Sequence, residues 1–349
     1  MRFSNFLFPE ARTPSRDAEY IADALEEAKL TETLGFDGVW LAEHHFDGNC
    51  CYVDPVTFAS AILASTQNLK VGFAVAQLSL HHPVRLAEQM SLLDNMSRGR
   101  LIVGIGKGTA YNIYEYTGYG IAHDEARERY EEAEQILIKS WTGEEGFVHE
   151  GKYWQLNGPA LRPRPFTRPH PRLLRAASSE NGAIELGKRG LPFLMNVQSE
   201  EQTLARLDIY KNALQESGFD EEHIAKCMSE SWVWRNVYVG ENDKEAEDVG
   251  SSNFAAMVDH RSSMRERVAE AQGQAITKSN PVYRDPKVGL MAGSASTVAE
   301  RISKLADCGI GGVMIQFRLG PMSKELANAS IRRFAEQIIP EVNARSSAG

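Results

Sequence analysis

The stretch Gly35-Phe-Asp-Gly-Val-Trp-Leu-Ala-Glu-His-His-Phe46 decides how the rest of this chain is read. Gly35 stops a helical run, as a glycine just past a helix end does, and Phe36 to Leu41 reads as a buried strand. That strand runs straight into three ionisable side chains, Glu43, His44 and His45. A parallel barrel or doubly wound sheet presents such a cluster at the carboxyl ends of its strands, where ligands bind. On an extended backbone, alternation sends Glu43 and His45 to one side and His44 to the other. Two adjacent histidines are therefore ill placed to face one metal, and His81-His82 has the same defect. Acid–base and structural roles for the cluster both stay open.

Strands and helices alternate on either side of this stretch. Arg2 to Phe8 reads as a first strand, and Ile21, Leu25, Ala28 and Leu34 recur at roughly helical spacing before Gly35. Asp54-Pro55 opens a helix to about Ser65, with proline in the first turn. Leu69 to Leu78 is a third strand, His82 to Met96 a helix, and Leu101 to Ile105 a fourth strand. Thr109 to Gly120 reads as a polar and aromatic loop, His123 to Thr142 as a long helix, and Phe147 to Pro171 as a proline-rich, hairpin-like excursion. Strands are expected at Leu173–Ala177, Phe193–Val197, Trp232–Val239 and Gly312–Phe317. Helices are expected at Glu180–Arg189, Glu200–Ser217, Thr297–Cys308 and Lys324–Val342. Glu241 to Gln272 is highly charged and partly helical in pattern, and Gly273 to Gly289 has no clean period. Eight strands, each followed by a helical stretch, predict a closed (β/α)8 TIM barrel, one domain over residues 1–349. An open doubly wound sheet lacks support, because no strand–GxGxxG–helix unit is present.

Composition narrows the function classes. The chain has 349 residues, 42% apolar and 24% charged, which suits a globular protein. A net charge of −9 disfavours nucleic acid, whose phosphates require a basic face. No apolar run is long enough to span a bilayer, and the N-terminus lacks signal-peptide architecture, so a cytoplasmic location is the expectation. Cys50, Cys51, Cys227 and Cys308 fit no zinc spacing and read as free thiols.

Several further residues could carry chemistry. Gly104-Ile-Gly-Lys-Gly108 follows a strand; its glycines allow close backbone approach and Lys107 adds a positive charge, which suits a phosphate, though an ordinary turn reads the same. Ser178 and Ser179, before Glu180-Asn181-Gly182, are either plain helix caps or part of an anion site at a helix N-terminus. Arg127 is a phosphate partner or a surface salt bridge. Tyr111, Tyr114 and Tyr116 line a substrate pocket or cover the barrel rim.

These residues resemble the bacterial luciferase-like flavin-dependent monooxygenase family. The opening stretch is similar to the family's second-strand motif. His81-His-Pro-Val-Arg-Leu-Ala-Glu-Gln89, continuing through Leu92 to Leu101, resembles its most diagnostic block, a helix ending in Leu-Asp-x-x-Ser-x-Gly-Arg. Gly104–Gly108, Ala177-Ser-Ser179 with Lys188-Arg-Gly190, and Gly293–Glu300 extend the likeness over nearly the whole chain. The family fold is a (β/α)8 barrel, as the strand count predicts independently.

The resemblance implies a two-component monooxygenase. Reduced FMN from a separate NAD(P)H-flavin reductase would react with O2 to give a C4a-(hydro)peroxyflavin that oxygenates a small organic substrate. It also implies that Lys107, Arg127, Ser178 and Ser179 hold the flavin phosphate. The isoalloxazine would lie against Ala74-Val75, where relatives can carry a non-proline cis peptide. Gly106 stands where luciferases have a reactive cysteine, which argues against bioluminescence. Ser178 takes the place of an acidic residue. His44 aligns with a catalytic histidine, with Glu43 beside it and expected, with Tyr111 and Tyr114, to line the substrate pocket; residues 251–290 correspond to a mobile loop or lid, and a homodimer is expected. Alternatives on the same barrel are an F420-dependent oxidoreductase and a flavin-binding protein without turnover.

Overall fold

The computed structural model describes residues 1–275 and 281–348. Strands β1 (Arg2–Leu7), β2 (Gly38–Leu41) and β3 (Lys70–Phe73) lie side by side in parallel register. The two-residue strand β4 (Ala76–Gln77) continues β3, and both pair with β5 (Leu101–Gly106). An antiparallel hairpin, β6 (Phe147–Glu150) and β7 (Gln155–Gly158), forms its own small sheet. The barrel resumes with β8 (Arg172–Ala176), β9 (Phe193–Met195) and β10 (Trp232–Val239). A short β11 (Met291–Gly293) pairs with the far end of β10, and β12 (Gly312–Gln316) joins β10 to β1 and closes the ring. The result is the eight-stranded (β/α)8 barrel that the alternation predicts.

The barrel interior shows why these residues pack this way. Trp40 on β2 sits in register with Gly72 on β3, and Trp232 on β10 with Gly312 on β12. A Cβ at either glycine would collide with the facing indole. The two indoles meet edge to face at 5.2 Å, so the interior is filled by two large rings accommodated by two missing side chains. Strands buried on both faces read as unbroken apolar runs, which is why they were legible without alternation.

The outer layer comprises α1 (Asp17–Thr33), α2 (Pro55–Ser65), α3 (Pro83–Ser97), α4 (Ile113–Gly118), α5 (Ala126–Thr142), α6 (Glu180–Lys188) and α7 (Glu200–Glu216). It continues with α8 (Glu221–Glu230), α9 (Asp243–Ala271), α10 (Pro286–Gly289), α11 (Ala295–Asp307), α12 (Lys324–Arg333) and α13 (Ile339–Ala348). Local chemistry sets several starts. Asp54 caps α2 by accepting from the Val56 amide at 2.9 Å, directly before Pro55 at N1.

The structure departs from expectation in places. The expected loop Thr109–Gly120 contains α4, and α8 and β11 had no sequence counterpart. The expected loop or lid 251–290 is helical through Ala271, because α9 runs 29 residues from an Asn242 cap. Its buried positions Ala246, Gly250, Phe254 and Met257 repeat every three to four residues inside a charged sequence. Residues 276–280 of that expectation lie outside the described residues. The last helix is broken by a wider turn, Phe334–Ile338, which keeps Ile331, Phe334, Ile338 and Val342 all buried.

Candidate active site

At the carboxyl end of β2 the chain divides its ionisable residues between two environments. Glu43 is only 2% exposed. Its Oε1 accepts from His45 Nε2 at 3.0 Å and His81 Nε2 at 2.7 Å, and its Oε2 accepts from the Gln77 amide at 2.6 Å. Burial pushes the Glu43 carboxyl up, but the charge of His81 and the hydrogen bonds from His45 and His81 outweigh it and hold it at about 2. Burial likewise opposes charge on His81, and the Glu43 carboxylate overcomes it, raising that imidazole above its ordinary value. Glu43 is thus a locked structural anion beneath the mouth, not a wall of the substrate pocket.

His44 faces the other way. Its side chain is 22% exposed, and its ring meets Phe8 edge to face at 5.6 Å. Nδ1 lies 3.1 Å from Glu115 Oε1 and 2.9 Å from the Asn112 amide nitrogen. Glu115 is fully buried and also accepts from the His45 amide at 3.0 Å and Gln77 Nε2 at 2.6 Å. Nδ1 thus faces an acceptor, Glu115 Oε1, and a donor, Asn112 Nδ2, so it donates to Glu115 in one tautomer and accepts from Asn112 in the other. With the Nδ1 proton donated to Glu115, Nε2 is the acceptor of the ring; with Nδ1 accepting from Asn112, Nε2 is its donor. Gln77 ties the two carboxylates together, its amide on Glu43 and its side chain on Glu115.

The residues expected to hold a flavin divide similarly. The Ala74–Val75 peptide bond is cis, and both residues are half-buried. Gly106 packs against them: a Cβ there would stand 2.7 Å from Val75 Cγ2 and 3.4 Å from Ala176 Cβ. Gly104 is tighter still, since its Cβ would overlap the Phe73 carbonyl oxygen. Lys107, next along, is exposed, and its ammonium has no acceptor among the described residues. The register Ile105–Arg175 brings it beside the β8–α6 junction. There Ser179 caps α6, accepting from the Gly182 amide at 3.1 Å, and Ser178 accepts from the Asn196 amide at 3.3 Å. Each hydroxyl keeps its own proton to donate. Arg127 is 68% exposed; its Nε bonds Glu131 at 2.8 Å and its Nη2 lies 3.7 Å from Glu185 on α6. The salt-bridge reading of Arg127 is therefore the one this conformation adopts.

The tyrosines split as well. Tyr114 and Tyr116 are buried, and Tyr114 donates to Asp47 Oδ2 at 2.7 Å, so it supports the α4 turn and does not line a pocket. Burial pushes the Tyr114 phenol well above its ordinary value. Tyr111 is half-buried with the Arg265 guanidinium 4.9 Å over its ring.

Sequence reasoning missed Gln77, Asn112 and Glu115. A polar residue inside a strand run and an i, i+3 Asn–Glu pair in a supposed loop were the available signals.

A reduced flavin would need an anion cradle, a flat wall and a proton-handling group. The fit rests on the residues present. Lys107 is a cation without a counter-ion. The first-turn amides of α6 lack intrahelical acceptors. At Gly106 any side chain would fill the space against Val75. The donor set suits a phosphate.

Comparisons with known proteins bear on the fold and the family. A monooxygenase from Streptomyces bottropensis superposes with a TM-score of 0.80 at 26% identity, covering 98% of this chain and 99% of that one. The FMN-bound oxygenating constituent of 3,6-diketocamphane monooxygenase from Pseudomonas putida superposes with a TM-score of 0.77 at 19% identity, covering 98% of each chain. The oxygenase component of flavin-dependent trigonelline monooxygenase from Acinetobacter baylyi is 22% identical over 97% of this chain and 95% of its own. The luciferase-like monooxygenase profile matches residues 1–311, and the chain belongs to that family of flavin-dependent enzymes.

Proposed function

We propose that this chain is the oxygenase component of a two-component system. It takes reduced FMN from a separate NAD(P)H-flavin reductase and uses O2 to oxygenate a small organic substrate. The observation that carries this reading is Lys107, exposed and without an acceptor among the described residues, in the loop after β5, whose neighbour β8 leads into the N-terminus of α6 at the same barrel end as His44. When bound, reduced flavin supplies the electrons that activate O2, one oxygen atom passing to the substrate and the other leaving as water.

The chain's own residues do the rest. Lys107, the α6 amides and the hydroxyl protons of Ser178 and Ser179 hold the phosphate; Arg127 joins them by releasing Glu131. Gly106, Ala74 and Val75 form the flat wall. His44 Nε2 accepts or returns a proton at the mouth while Glu115 holds its ring through Nδ1. Phe8 covers one edge of that imidazole and limits water there. Leu92 and Met96, exposed one turn apart on α3, and exposed Phe166 supply an apolar patch for the homodimer included in this proposal.

The test is a titration of FMN followed by oxygen uptake with a flavin reductase and NADH. Expected are FMN binding that weakens roughly tenfold in Lys107→Ala and flavin-dependent oxygen consumption coupled to a product of higher mass. Turnover with reduced F420 and no oxygen uptake would replace the reading with hydride transfer. Tight FMN binding with no product from any substrate would leave a flavin-binding protein.

A further inference from the structure

The inward stripe of α9 changes character along its length. Phe254 and Met257 are apolar and buried, but the next two inward positions, at four-residue steps, are Arg261 and Arg265. Arginine on the inner face of a helix needs a reason, because its charge cannot be shed by losing a proton.

Arg261 has half of one. Its Nε donates to Glu10 Oε2 at 3.0 Å, and its guanidinium lies 4.1 Å over the Phe8 ring, yet its Nη2 is buried without a partner among the described residues. The Glu10 carboxylate is shared with Arg12, 3.7 Å away. Arg265 has no carboxylate among the described residues. Its guanidinium lies over Tyr111, and its Nε is buried without a partner among the described residues. Of the two rings beneath these cations, Phe8 touches the His44 imidazole, and Tyr111 is next in the chain to Asn112, whose side-chain amide reaches His44 Nδ1. Burial first, and then the nearby charge of Arg265, oppose the charge of Arg261, while Glu10 supports it.

We propose that Arg265, assisted by Arg261 Nη2, anchors a carboxylate of the organic substrate, whose apolar body then lies over Phe8 and Tyr111 toward His44. The substrate class is thus a carboxylic acid with an apolar or aromatic body. This rests on the monooxygenase reading for the chemistry, but not for the binding. The cations stand with β1, α4 and α9, whereas the phosphate donors stand with β5, α6 and the start of α5.

The experiment titrates the full-length, FMN-loaded protein by calorimetry with two acid–amide pairs, benzoate against benzamide and hexanoate against hexanamide. Each acid is expected to bind roughly tenfold or more tightly than its amide. Arg265→Gln should abolish that preference, and Arg265→Lys should keep part of it, since an ammonium keeps the charge and loses the fork. No preference in the wild-type protein, no binding of either acid, or a preference that survives in Arg265→Gln overturns the proposal. So does an Arg265→Gln variant that loses FMN instead of the acids. If the wild-type protein binds no FMN, the flavin reading falls, and the same titration on the unloaded protein still decides Arg265.

Discussion

His44 and His45 are adjacent in sequence, and their surroundings could hardly differ more. His45 points inward into a closed knot: Glu43 takes both His45 and His81, and Tyr119 lies 3.1 Å from the remaining His45 nitrogen. His44 points to the mouth, with one nitrogen held from behind by Glu115 and the other face open. The division follows the alternation expected of an extended chain, but β2 ends at Leu41, so it is the separate carboxylates, Glu43 for His45 and Glu115 for His44, that hold it. One side converts buried charge into rigidity. The other spends that rigidity on a fixed imidazole, because Gln77 bonds both carboxylates and transmits the position of the knot to the ring.

The largest effect should come from breaking the knot. Glu43→Gln leaves half-buried His81 without its counter-ion and buried His45 without its carboxylate, and is expected to destabilise the fold by about 3 kcal/mol or more, read by urea denaturation. A loss below about 1 kcal/mol would mean that the buried triad is not what holds this end of the barrel. His44→Ala should behave oppositely. Turnover should fall by roughly a hundredfold or more while stability changes little, since His44 is at the edge of the network. Equal damage to stability and turnover would erase the distinction between the two sides.

The fold was legible where periodicity and burial coincide. Strands buried on both faces read as apolar runs, and Gly35, Asp54-Pro55 and Ser179 marked helix ends through chemistry that is local in the chain. The separation of His44 from His45 was also expected from alternation, and it holds although β2 ends at Leu41 and both histidines follow it. Glu115 was not. It serves His44 across 71 positions from a six-residue helix too short to show a period. Tyr114 was misplaced because an aromatic residue in a loop reads alike whether it lines a pocket or donates to a buried Asp47. Glu43 was misplaced because its partner His81 comes from a different strand connection. Arg261 and Arg265 lay inside a stretch whose charge concealed its inward stripe.

The smallest expected effect separates the two sides by pH alone. Glu43 is depressed from an ordinary 4.5 to about 2, so its share of stability is present above 4.5 and is lost as pH falls toward 2. His81 is raised above an ordinary 6.5, so its share is complete below 6.5 and is lost as pH rises through the raised value. The pair is therefore at full strength between about 4.5 and 6.5, and the melting temperature should decline above that window. His81→Asn removes the titrating group and should flatten the alkaline decline while lowering the plateau. His44→Ala should leave the decline in place, because His44 is not bonded to Glu43. A decline that persists in His81→Asn and vanishes in His44→Ala would transfer the pH-sensitive charge from the inward side of the strand to the mouth.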